Sequence, residues 1–149
     1  MPKSIKMRRP LNKTRSNRGN LQQFQKEITV KFLEILMMIK LYHWKTYSYA
    51  THKATDELFT KVNENVDRFI EVLLGKSGQR TNLMGHKNIN LLDLNSPESL
   101  KRKVEEFKSY LVDLDYKEQL KKMSNADLYT IRDEILADMN QFLYLLTFK

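Results

Sequence analysis

The sequence predicts an all-α protein, a bundle of four helices with a long connection between the second and third. Apolar residues recur at intervals of three and four along four segments, and no segment alternates as a half-buried strand does. The chain has 149 residues, 41% of them hydrophobic and 30% charged, which fits a single globular domain. It contains no cysteine, and this excludes disulfides, thiolate metal sites and thiol nucleophiles.

The first two helices are predicted over residues 21–44 and 51–74. A polar and aromatic break separates them, and Gly75 is expected to end the second helix. Residues 75–95 then form the long connection. The first helix should be buried on more than one side, because its apolar residues stand at positions 21, 24, 28, 32, 35, 39 and 42, with others at 30, 33, 36 and 37.

The third helix is predicted over residues 96–112, because Pro97 suits the first helical position. The fourth is predicted over residues 124–148, because Ser124 and Asp127 resemble a capping box. Four helices in this order, with one long link, suit a bundle in which the chain makes a crossover.

Most of the formal charge of +8 lies in the first twenty residues, which contain no acid. Residues 1–20 are predicted to form a flexible arm, and residues 21–149, with a net charge of only +1, the helical domain. A basic arm favours a polyanion such as DNA, while contact with an acidic protein surface or a role in solubility stays open. Its basic residues are Lys3, Lys6, Arg8, Arg9, Lys13, Arg15 and Arg18.

The sequence offers no membrane anchor and no export signal. Its longest stretch without a charge, residues 139–148, is too short to span a bilayer. No secretory hydrophobic region follows the N-terminus. We therefore expect a protein that is not secreted and stays in the cytoplasm or with the nucleoid.

A stripe of imidazole and carboxylate side chains follows the second helix. His52 and Asp56 are four residues apart, as are Asp67 and Glu71, so each pair shares a helical face. All four lie within an arc of roughly 100°. Asp56 and Asp67 are nevertheless roughly 16 Å apart along the helix, whereas a metal needs its ligands within roughly 2–2.5 Å.

An antiparallel second copy of the chain would bring the two pairs together. His43, at the end of the first helix, would then lie with His52 and Asp56 of one chain beside Asp67 and Glu71 of the other. This is an isologous twofold interface, so the protein is expected to be at least a homodimer. Imidazole and carboxylate ligands suit iron, manganese or zinc. Ordinary salt bridges to the same carboxylates are the alternative.

Residues 39–75 resemble the DNA-protecting ferritins of starved bacteria, the Dps proteins. The resemblance implies a ferritin-like bundle and a hollow shell of subunits. It also implies a ferroxidase site shared across a twofold axis, where peroxide or oxygen oxidises iron, and DNA binding through a basic arm. The residues that match the family's pattern are His43-Trp44, His52, Asp56, Asp67 and Glu71.

Two observations keep a second function open. The link from His43 to His52 is shorter than in that family and lacks its glycine-containing turn, which leaves open whether the two imidazoles stay within reach of each other. Residues 42–58 also resemble uncharacterised small proteins of large DNA viruses and phages. That likeness implies a virion or viral factory as the setting. The alternative is a non-enzymatic structural or DNA-packaging protein with a ferritin-like fold and no functional metal site.

Overall fold

The computed structural model describes residues 12–121 and 123–148, with side chains from Gly19 onward. These residues form helices and no strand, which confirms the all-α class. The helices are α1 (Asn12–Lys45), α2 (Tyr49–Ser77), α3 (Pro97–Val112) and α4 (Ala126–Leu145), with a 3-10 turn at Asp113–Tyr116. None of these helices is long and apolar enough to cross a membrane.

Helix α1 begins earlier than the periodicity predicts. It starts at Asn12 rather than at residue 21, so residues 12–20, which were expected in the arm, are helical. Residues 12–20 contain no proline, and their single glycine, Gly19, costs only about 1 kcal/mol inside a helix. The polar composition of the segment therefore does not stop the helix. Residues 1–11 of the predicted arm lie outside the described residues.

Helix α2 is fixed at both ends by local hydrogen bonds. The hydroxyl of Ser48 caps its first turn. At the other end the helix passes through Gly75, the predicted stop, and continues to Ser77. Gly78, which has a φ of 67°, adopts the left-handed conformation that ends the helix. The prediction for Gly75 is therefore wrong, because it is Gly78 that takes this conformation.

Helix α4 begins without the predicted capping box. Its N-cap residue is Asn125, whose side chain makes no capping hydrogen bond and instead donates to carbonyls of the preceding turn. Asp127 pairs with Lys76 of α2 at 3.0 Å, and this hydrogen bond holds the pKa of Asp127 below its ordinary value. A tertiary partner has thus replaced the local cap, and the helix ends at Leu145 rather than at residue 148.

The four helices pack in the cyclic order α1, α2, α4, α3 around one core. Helix α2 packs on α1 and on α4, and α4 packs on α3. Helix α1 faces α3 where the ammonium of Lys31 lies over the rings of Phe107 and Tyr110, at 5.7 and 5.4 Å. The largest fully buried side chains include Phe24, Phe32, Phe69 and Phe142.

The connection between α2 and α3 runs along the length of the bundle. Near its start, the hydroxyl of Ser77 accepts a hydrogen bond from Gln25 of α1. Near its end, Asp93 and Asn95 accept hydrogen bonds from the ammonium of Lys45, at 2.6 and 2.8 Å. Helix α3 therefore starts beside the α1–α2 turn and runs parallel to α2, across the diagonal of the bundle.

Polar pairs cover the seam between α2 and α4. Their antiparallel register is Lys61–Gln141, Asn65–Asp138, Arg68–Glu134 and Lys76–Asp127. On the opposite side of α2, where it meets α1, the described residues form one lysine–carboxylate pair, Lys40–Asp56, at 3.9 Å.

Candidate metal centre

The turn between α1 and α2 brings His43 and His52 together, despite the short link. Each Nδ1 lies at hydrogen-bond distance from the backbone carbonyl of the other residue, 2.9 Å for His43 and 3.0 Å for His52. The two rings stack, with centroids 3.9 Å apart and planes 21° apart. A carbonyl only accepts, so each Nδ1 carries a proton and donates it. In the neutral imidazoles each Nε2 then keeps a lone pair for a ligand.

Two residues that the sequence pattern did not single out, Thr55 and Lys40, lie beside this pair. Thr55, which is fully buried, donates its hydroxyl proton to the carbonyls of the first turns of α2 and lies 3.2 Å from His43 Nδ1. Lys40 lies one helical turn before His43. Its ammonium is 4.5 Å from the centroid of the Phe59 ring. A search for residues three positions from each histidine would have found both.

Asp56 lies on the solvent side of the histidine pair. Its Oδ1 is 3.9 Å from His43 Nε2 and 3.9 Å from Lys40 Nζ. Both distances are too long for a hydrogen bond, and 56% of the side chain is exposed. The carboxylate therefore lies near the imidazole and keeps much of its surface open to a ligand.

The donor atoms fit a divalent iron ion, but their geometry in one chain does not complete a site. Imidazole nitrogen and carboxylate oxygen are suitable ligands. The stacked rings of His43 and His52, however, hold their lone pairs in nearly parallel planes. One ion cannot lie in both planes at about 2.1 Å from both Nε2 atoms unless a ring turns. Accordingly, no three His, Asp or Glu side chains in the described part of the chain are placed to hold a metal.

Asp67 and Glu71 are exposed on α2 and stand apart from the histidines. At about 1.5 Å per residue, Asp67 is roughly 16 Å from Asp56 along the helix axis. Glu71 borders a groove between α2 and α4 that Arg68 also lines. The structure thus brings His43, His52 and Asp56 together and leaves the other two predicted ligands at a distance. A single chain does not assemble all five ligands, so a complete site would need a second chain.

A partly apolar surface surrounds these residues. We call it the outer hairpin face. On it, Trp44 is 69% exposed and Met37 is 38% exposed. Its residues follow one another at helical spacing along the solvent side of α1 and α2, and they are Leu33, Met37, Lys40, Trp44, Asp56, Phe59, Asp67 and Ile70.

The side chains predicted to contact DNA fall outside the described part. Helix α1 includes three of these residues, and the other four precede it. In chain order they are Lys3, Lys6, Arg8, Arg9, Lys13, Arg15 and Arg18.

Comparison with known proteins gives a phage relative and a family. An uncharacterised 14.6 kDa protein from the mobD-ri intergenic region of Enterobacteria phage T4 is 39% identical over 54 residues, which cover 34% of this chain and 42% of the phage protein. The chain therefore spans less than half the length of that relative. No solved structure matches the present chain. A profile described as a family of unknown function, DUF5856, matches residues 43–146, from the first histidine of the pair through nearly all of α4. The chain belongs to this DUF5856 family.

Proposed function

We propose that this chain is a ferritin-like subunit that pairs through the outer hairpin face and oxidises ferrous iron where two copies meet. The observation that carries the proposal is the arrangement of His43 and His52. Both donate Nδ1–H to a backbone carbonyl, so each Nε2 is available. A hydrogen bond of this kind on the second ring nitrogen typically orients the histidines that bind metals.

The ferritin-like part of the proposal is supported by the packing order. Helices α2 and α3 are parallel and diagonal to each other, and α1 neighbours α2 and α3. A four-helix bundle with this order needs one long crossover connection, as ferritin-like folds have. The resemblance of residues 39–75 to the Dps proteins points the same way.

Pairing through the outer hairpin face is supported by its charges and its apolar residues. On this face Lys40 lies near the α1–α2 turn, whereas Asp67 lies roughly 16 Å beyond Asp56 along α2. Glu71, roughly 22 Å beyond Asp56, borders the face on its α4 side. In an antiparallel pair, each basic end faces the acidic end of the other copy. The apolar residues between the two ends would be buried, and interface centres favour such aromatic and methionine side chains.

In the paired protein, His43, His52 and Asp56 of one copy and Asp67 and Glu71 of the other would hold ferrous iron as the substrate. One imidazole turns out of the stack to make this possible. Peroxide or oxygen accepts the electrons. With peroxide, two ferrous ions each give up one electron, two protons are taken up, and two water molecules leave.

Replacing Asp67 by Asn and Glu71 by Gln should abolish iron binding and oxidation without unfolding the chain. Both side chains are exposed, and the substitutions remove charge without changing shape. The measurements are the iron content after incubation with ferrous salt and the rate at which ferric iron forms. A matched variant, Glu105→Gln with Glu106→Gln on α3, loses the same charge and should behave as wild type. Wild-type protein that binds no iron would overturn the proposal.

If two copies pair through the outer hairpin face, a charge introduced at its centre should strongly weaken their association. Met37→Glu should weaken self-association by at least about 100-fold, because the carboxylate would be buried without a partner. Sedimentation velocity over a range of concentrations measures this. Val112→Glu is the control, since Val112 is a similarly exposed apolar residue on α3, with 47% of its surface accessible. Equal effects of the two substitutions would rule out this face.

The non-enzymatic alternative has one observation in its favour. His43 and His52 already bond to each other's backbone and stack, so they clasp the α1–α2 turn without a metal. On this interpretation Lys40 and Asp56 are a surface ion pair, and the protein has a structural or DNA-packaging role. The phage origin of a relative fits such a role. Wild-type protein that assembles and binds DNA but takes up no iron would establish it.

A further inference from the structure

A cavity at one end of the bundle lies apart from the outer hairpin face. It has a volume of about 400 Å³ and is formed where the α1–α2 turn meets the start of α3. This volume is within the range of small-molecule sites and is much larger than a bare oxyanion needs. The polar and aromatic side chains that line it are Tyr42, Lys45, Thr46, Tyr47, Ser48 and Asn95.

The ring of Tyr42 is buried, and its hydroxyl has no hydrogen-bond partner in the described part of the chain. Only 6% of the surface of this residue is exposed. Burial, together with the charge of Glu98, raises the pKa of Tyr42, so the phenol stays protonated and keeps an O–H to donate. Tyr42 lines the cavity, so a molecule bound there can accept this proton.

The other polar side chains of the cavity also have protons left to donate. Thr46 and Ser48 already use their oxygens to accept backbone N–H groups, at 3.1 and 3.2 Å. Their hydroxyl protons remain available. The carbonyl oxygen of the Asn95 side chain accepts from Lys45, and this leaves its amide N–H groups as donors.

Two helix N-termini border the same cavity. Helix α2 starts beside Ser48, and α3 starts at Pro97, which also lines the cavity. Backbone amides and the helix dipole give such ends an affinity for anions. Of the two nearby carboxylates, Asp93 is paired with Lys45 at 2.6 Å, and Glu98 remains. Glu98 is a negative charge near Tyr42, so the cavity has no net positive charge, and its free hydrogen-bond donors are what favour an oxyanion.

An apolar wall completes the cavity. Leu94 and Pro97 line one part of it, and the Tyr47 ring at its mouth is fully exposed to solvent. An exposed aromatic ring beside a set of hydrogen-bond donors is the combination that binds a nucleobase together with its phosphate.

We propose that this cavity binds one nucleotide, with its phosphate at Tyr42, Ser48 and the start of α2 and its base on Tyr47. The nucleotide is either a free monophosphate or the phosphorylated end of a DNA strand. The two sources share the same chemistry. This binding does not depend on iron or on pairing.

Calorimetric titration of the full chain tests the proposal with inorganic phosphate, deoxyadenosine 5′-monophosphate and a 5′-phosphorylated single-stranded oligonucleotide. We expect the monophosphate to bind more tightly than phosphate. Tyr42→Phe, which removes only the hydroxyl, should weaken the binding about tenfold. Tyr47→Ala should weaken the binding of the nucleotide while leaving that of phosphate unchanged. If Tyr42→Phe weakens the binding of both the monophosphate and the oligonucleotide, the natural ligand is a phosphorylated strand end. If it weakens the binding of the monophosphate alone, the ligand is a free nucleotide.

The control is Tyr110→Phe, because Tyr110 is a half-buried tyrosine, whose pKa burial raises to about 12, and it lies outside this cavity. It should bind the monophosphate as wild type does. Absence of nucleotide binding, equal affinity for phosphate and nucleotide, or equal effects of the two tyrosine substitutions would each overturn the proposal.

Discussion

Mixing two inactive variants should restore about a quarter of the wild-type iron-oxidising activity, because each proposed centre takes its ligands from two copies. One variant carries Asp56→Asn, and the other carries Asp67→Asn with Glu71→Gln. A mixed pair has one centre with all its ligands and one with none of these carboxylates. Random exchange makes half of the pairs mixed, so about a quarter of all centres are intact. The initial rate of ferric iron formation after subunit exchange measures this.

The three substitutions keep the shape of each side chain, and all three residues are exposed, so the helices should be unaffected. Each variant taken alone through the same exchange is the control and should stay inactive. Mass spectrometry of the mixture shows whether mixed pairs have formed. If mixed pairs are present and activity stays at zero, the centre is not shared between chains. Activity in either variant alone would mean that the ligands are wrongly assigned.

The helices could be predicted because their signals are local. Core-facing positions of α2 and α3 repeat every three or four residues, and Pro97 fixes the start of α3. The ends were less predictable, since they depend on tertiary partners and on backbone angles. Asp127 has the spacing of a cap, yet Lys76 of another helix takes its carboxylate.

The candidate site was predictable only as a set of residues on one surface. Helical spacing places His52 and Asp56 on one face, but it does not show that His43 and His52 would hold each other through their backbone carbonyls. The reciprocal hydrogen bonds depend on how tightly residues 46–48 turn, which no periodicity encodes. Whether the two rings can also chelate an ion depends on a partner chain, and that is why a test on mixed pairs is needed.

Buried polar residues were the hardest to foresee. Arg132 has a side chain only 8% exposed and pairs with Asp115 and Asp133, at 2.6 and 2.9 Å, which ties the 3-10 turn to α4. Tyr42 fits the apolar stripe of α1, so its unpartnered hydroxyl cannot be recognised without the cavity. In both cases the sequence shows the side chain but not the three-dimensional surroundings that determine its role.

If the basic arm predicted from the sequence binds DNA, removing residues 1–11 should weaken that binding and roughly halve its dependence on salt. If all seven basic residues of the predicted arm contact phosphates, the slope of log K against log salt concentration is about −6, at roughly −0.9 per contact. The deletion removes the four charges of Lys3, Lys6, Arg8 and Arg9. The remaining three then give a slope of about −3. Fluorescence anisotropy with labelled duplex DNA at several salt concentrations measures the slope.

This deletion is sharper than one of residues 1–20, because α1 begins at Asn12 and the longer deletion would also remove helix. The matched variant keeps residues 1–11 and carries Lys13→Gln, Arg15→Gln and Arg18→Gln, which should leave a slope of about −4. Sedimentation of both proteins should match wild type, because pairing is assigned to the outer hairpin face. A slope that neither change reduces would show that DNA does not bind through the arm, and the phosphate contacts would then have to lie on the bundle.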